Sequence, residues 1–179
     1  SGLLESFNFD NIISLNGTYI FEYTSLQVVD LTNANITDFY GMNFARVNTL
    51  HTVIWSPNMN VIPVQAFKYA NGLTSVTIPD NVTKIESEAF RECAFSTIVL
   101  PPNLVEIGQG AFYQCTNLTS ISIPASVTTL GDTFLGGCSS LTTINFEGGA
   151  LPAGITTASP AFNGIPANCE ITFTAANSN

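Results

Sequence analysis

"GLTSVTIPDNVTKIESEAFRECA" (Gly72–Ala94) is echoed by "NLTSISIPASVTTLGDTFLGGCSS" (Asn117–Ser140). With Leu73 as offset zero, units begin at Leu50, Leu73, Phe95, Leu118 and Leu141, separated by 23, 22, 23 and 23 residues. Offsets three and five are apolar in every unit: Val53 and Trp55, Val76 and Ile78, Ile98 and Leu100, Ile121 and Ile123, Ile144 and Phe146. That alternation predicts a short strand with one face inward. Pro79, Pro101 and Pro124 follow at offset six, where the missing N–H ends pairing.

Two more apolar anchors fall at offsets nine and twelve: Met59 and Ile62, Val82 and Ile85, Leu104 and Ile107, Val127 and Leu130. Offset seventeen holds Phe67, Phe90, Phe112 and Leu135. A unit this small cannot bury such residues alone, whereas stacked copies share one continuous core. Leu26 opens a further unit ("LQVVDL") and Leu4 a weaker one ("LESFNF"), and "NCEITF" supplies a last strand. The expected organisation is a single domain over residues 1–179. Its regular repeats span 50–146, with irregular terminal repeats at 4–49 and 147–173.

The period, the "LTSVTIP" strand, the following "VTKI" and the "AF…C" ending resemble the BspA-like, or Treponema-type, leucine-rich repeats of bacterial surface proteins. The resemblance covers Leu50–Phe146 and, less regularly, Leu26–Arg46. It implies an α/β leucine-rich repeat solenoid. This is a right-handed superhelix with a concave parallel β-sheet and short irregular or helical convex segments. It also implies a secreted or cell-surface protein that binds other proteins or mediates adhesion.

The chain is 45% apolar and only 9% charged, with 13 Asp and Glu against 4 Lys and Arg. A net charge of −9 repels nucleic acid and anionic membrane, and no basic patch interleaved with aromatics is present. No apolar run reaches membrane-spanning length, so direct membrane insertion is not expected. All four basic residues lie between Arg46 and Arg91, leaving two acidic flanks.

Chemistry-bearing motifs are lacking. Cys93, Cys115 and Cys138 share offset twenty, so their spacing is the repeat's own and no C-x-x-C occurs. They read as a packed column of thiols. Adjacent rungs are close enough for one disulfide, which would leave a cysteine of the three unpaired. Cys169 lies at a different offset, near the last strand. His51 has no periodic nucleophile or orienting group beside it. "GQG" (Gly108–Gly110) sits between repeat anchors and not after a strand opening a βαβ unit, which argues against a phosphate cradle. No metal or cofactor site and no enzymatic activity are expected.

Offsets two and four point away from the core, onto the concave sheet. The candidate binding residues are therefore Asp30, Thr52, Ile54, Ser75, Thr77, Thr97, Val99, Ser120, Ser122 and Asn145. These columns contain none of the aromatic, Met or Arg anchors typical of protein interfaces. The acidic edges and the irregular segment Gly148–Pro160 are further candidates. The expected function is a protein-interaction or adhesion scaffold whose partner is a host or bacterial surface protein. The alternative is a structural spacer or envelope component without binding activity of its own.

Overall fold

Each unit closes one turn, and successive turns pair in parallel register. The computed structural model describes residues 4–15, 17, 19–35 and 44–174. Among these, ten strands follow in chain order: Val28–Asp30 (β1), Thr52–Ile54 (β2), Val61–Ile62 (β3), Lys84–Ile85 (β4), Thr97–Ile98 (β5), Glu106–Ile107 (β6), Ser120–Ile123 (β7), Thr129–Leu130 (β8), Thr143–Phe146 (β9) and Glu170–Phe173 (β10). The expected concave strands form two parallel sheets, β1-β2 and β10-β9-β7-β5, except in the unit at Leu73, where a single bridge from Thr77 to Val99 replaces the strand. The weak copy at Leu4 forms no strand over its described residues. The architecture is the expected leucine-rich repeat solenoid.

Register follows the apolar alternation. Ile121 and Ile123 lie opposite Ile144 and Phe146, all four buried, while Ser120 and Ser122 face solvent. A slip of one residue would bring hydroxyls into the core, so the pairing is strongly specified.

A second parallel ladder, β3-β4-β6-β8, was not expected. Its inner residues are the anchors at offset twelve, Ile62, Ile85, Ile107 and Leu130, all buried. Strands of two residues carry no periodicity to read, so only the anchor was visible in the sequence.

The convex segments take the irregular of the two expected forms and are almost free of helix. The one helix among the described residues is a 3-10 turn at Pro160–Phe162. The reason is left-handed residues recurring in successive turns, in one column Tyr23 (φ 57°), Arg46 (58°), Tyr69 (63°), Glu92 (59°) and Gln114 (56°), and four residues earlier Tyr19, Gln65, Glu88 and Gly110. Positive φ interrupts a right-handed helix in any L-residue. The strained conformation is held by bonds to the next turn. Arg46 N donates to Lys68 O, Tyr69 N to Arg91 O and Glu92 N to Tyr113 O, each at 2.8 Å.

Five parallel rings form the spine of the core. Phe21, Phe44, Phe67, Phe90 and Phe112 stack at centroid separations of 5.3, 5.6, 5.5 and 5.8 Å, with interplanar angles of 12° or less. Leu135 continues the column with Phe134 beside it, both fully buried. Three of the cysteines run parallel to this spine, and all four are free thiols. Cys93, Cys115 and Cys138 donate to the carbonyls of Phe67, Phe90 and Phe112 at 3.3, 3.2 and 3.1 Å. Burial pushes the Cys138 thiol up to about 12, and raises Cys93 and Cys115 strongly as well. Cys169, just before β10, is half-buried. The "GQG" glycines serve packing. A Cβ on Gly108 would lie 2.6 Å from Ser87 N, and Gly110 has φ +58°.

Candidate functional site

The concave sheet gathers some of the candidate residues and separates others. Thr97 pairs with Ser120, Ser120 with Thr143, and Ser122 with Asn145, making one continuous surface. Asp30 and Ile54 sit opposite each other on the separate pair β1-β2, beside Thr52. Ser75 and Thr77 belong to neither sheet, and a single bridge joins Thr77 to Val99. Val99 is 78% exposed and Ile54 42%. Asp30, Ser75, Thr77, Thr97, Ser120 and Ser122 are exposed, whereas Thr52 and Asn145 are half-buried.

At the C-terminal end of this face the polar groups satisfy one another. Asn145 Nδ2 donates to Thr174 Oγ1 at 3.2 Å, and the Thr172 hydroxyl donates to Asn145 Oδ1 at 3.2 Å. The Thr32 hydroxyl and amide hold the Asp30 carboxyl below its usual value. A shallow recess of about 270 Å³ lies among Thr97, Val99, Ser120, Ser122 and Glu147. His51 Nδ1 lies 2.9 Å from the hydroxyl of its neighbour Thr52, without a third group orienting the ring in the manner of a triad. Among the described residues no three His, Cys, Asp or Glu side chains are placed to hold a metal. No helix among them is long and apolar enough to cross a membrane. The segment 148–160 packs Leu151 and Ile155 against the core.

The concave sheet has a seam. Among the described residues, no backbone hydrogen bond joins residues 51–55 to 74–78. Trp55 occupies offset five, where the neighbouring units carry Ile78 and Leu100. Its ring stands edge-on to Phe67 at 5.7 Å, and its Nε1 donates to Thr77 O at 2.6 Å. The indole is too large to enter the core as those aliphatics do, so Val53, Trp55 and Val76 stay only partly buried.

A second surface was missed in the sequence. On the turn face the Arg46 guanidinium lies over the rings of Tyr23 and Tyr69, at 5.6 and 5.0 Å. Arg91 lies over Tyr69 and Tyr113, at 5.8 and 4.8 Å. Glu88 clamps this ladder from the side, 2.6 Å from both Lys68 Nζ and Arg91 Nη1. Burial alone would raise the Glu88 carboxyl, but hydrogen bonds from Lys68, Gln65 and Arg91 together hold it at about 2. The available signal was the spacing of Tyr23, Arg46 and Tyr69. It was hidden because the residue type changes along the column.

Parallel turns, a strand ladder on the concave side and a phenylalanine spine define a repeat solenoid of the leucine-rich type. The chain belongs to the BspA type leucine-rich repeat family, which it matches in 6 copies over residues 1–93 and 61–175. A leucine-rich repeat protein from Bacteroides ovatus superposes with a TM-score of 0.60 at 19% identity, covering 94% of this chain and 47% of that one. The leucine-rich repeat protein of T. pallidum gives 0.55 at 19% identity, covering 97% and 74%. At such identity the likeness is one of fold. The chain spans about half the length of the Bacteroides protein. No curated protein sequence matches it.

Proposed function

We propose that the chain is a non-enzymatic protein-interaction scaffold of a secreted or cell-surface protein, with a host or bacterial surface protein as partner. The carrying observation is the continuous sheet β5-β7-β9-β10, which presents Thr97, Val99, Ser120 and Ser122 above a buried apolar layer. A rigid, open, hydroxyl-rich surface suits main-chain and side-chain contacts with another protein. Family membership supports the same reading, and the charge of −9 disfavours nucleic acid and anionic lipid.

A panel of purified mucosal and bacterial surface proteins, measured by surface plasmon resonance, tests this reading. Binding that survives moderate salt and disappears in Val99→Lys and Ser120→Lys, with the fold intact, is the expected result. One observation favours the alternative of a structural spacer: the concave columns lack aromatic, Met and Arg anchors. Absence of salt-tolerant binding across the panel would favour that spacer.

A further inference from the structure

Tyrosine and arginine, the residue types that anchor protein interfaces, are missing from the concave columns but gathered on the turn face. There Tyr23, Arg46, Tyr69, Glu92 and Gln114 hold the same left-handed position in five successive turns. Their order is antisymmetric in charge about Tyr69, with a cation one turn before it and a carboxylate one turn after. We propose that this ladder is a self-docking surface, on which a second copy of the chain binds antiparallel about a two-fold axis level with Tyr69.

A two-fold axis lying in the interface and perpendicular to the solenoid axis reverses the order of turns while keeping each column opposite itself. Arg46 then faces Glu92 of the second copy, and the contact occurs twice. Tyr23 faces Gln114 of the second copy. Both copies share the rise of ~4.8 Å per turn, so register at one rung sets register at all. A parallel arrangement would instead set Arg46 against Arg46. Lys68, also level with the axis, does not confront its twin. Its ammonium is 2.6 Å from Glu88 and its side chain is only 14% exposed.

Charge selects a second copy as the occupant. Among the described residues of this face, Arg46, Lys68 and Arg91 are ion-paired with Glu22, Glu88 and Glu92, so these six charges cancel in a chain of net charge −9. Two copies repel through their other faces and not through this one. Tyr23 is 56% exposed, and Tyr19 and Val64 beside the ladder are exposed as well, so docking removes aromatic and aliphatic surface from water. Five turns and two columns fall short of the ~800 Å² per partner of a stable interface, so the dimer is weak and transient.

Sedimentation velocity of the intact chain, from about 10 µM to about 1 mM, spans the affinities such an interface allows. The average mass should rise with concentration above the 19.1 kDa of the monomer. Arg46→Glu or Glu92→Arg alone should weaken association about tenfold or more, because each change acts at both symmetric contacts. The two changes in one chain should restore it, and an equimolar mixture of the two single variants should associate better than either alone. Circular dichroism checks that each variant folds. A wild-type monomer throughout the range overturns the proposal. So do single variants that associate as wild type does, or a double variant no better than the singles.

Discussion

The indole nitrogen of Trp55 donates to the carbonyl of Thr77 at 2.6 Å, where main-chain pairing would otherwise join two turns. Trp55→Leu removes the oversized ring and leaves the aliphatic type found at Leu100. The expected outcome is a closed ladder, seen as slower hydrogen exchange at amides 74–78, with stability changed by no more than about 1 kcal/mol. Faster exchange there would mean that the indole bridges the seam and does not hold it open.

The phenylalanine spine should be the most sensitive part of the core. Phe90 is fully buried between the parallel rings of Phe67 and Phe112. Phe90→Ala should cost about 3–5 kcal/mol in urea denaturation. Phe90→Leu should cost well under half of that, since Leu135 already fills the same column. Similar losses for both variants would show that the stacked geometry matters more than the volume.

Glu88 gives the fold an acid limb. Its folded carboxyl sits at about 2, below the ordinary 4.5. A depressed value stabilises the fold fully above the unfolded pKa, and the stabilisation is lost as pH falls from about 4.5 towards 2. The side chain is 26% exposed, so screening reduces the contribution to about 1–2 kcal/mol. Glu88→Gln should therefore lower stability at neutral pH and flatten its decline in this window. An unchanged acid limb would place the sensitivity in other carboxylates.

The cysteines should separate by accessibility. Denatured, unreduced protein should titrate as four free thiols. In the native state Cys169 should react first with a thiol reagent, because Cys93, Cys115 and Cys138 are buried and their thiols resist ionisation. Peptide mapping of the labelled protein reads the order. Equal labelling of Cys93 and Cys169 would contradict a closed column.

Much of this architecture was legible because packing repeats while surfaces vary. Ile121 and Ile123 alternate with Ser120 and Ser122, and Pro124 marks the strand's end, so the concave ladder could be drawn from spacing alone. Where backbone pairing involves two residues, as at Lys84–Ile85, no period exists to detect. The left-handed column was hidden for another reason. Glycine usually advertises positive φ, but Tyr69 and Glu92 adopt it because bonds to the next turn compensate the strain. The exposure of Val99 followed from offset four. The break beside Thr52 and Ile54 did not, since it depends on the bulk of one indole. The Tyr–Arg ladder escaped because a search for matching residues down a column overlooks complementary ones.

The seam also bears on how the molecule carries load. Beyond the single bridge from Thr77 to Val99, the turns that follow are tied on the concave side by main-chain ladders, as between β7 and β9. At the seam, the back ladder between β3 and β4 and the Phe67–Phe90 stack run on unbroken, while the front is held by an indole. Tension along the solenoid would part the turns there first. The gap would open from the concave side with the back ladder as its pivot, leaving the folded segments on either side intact.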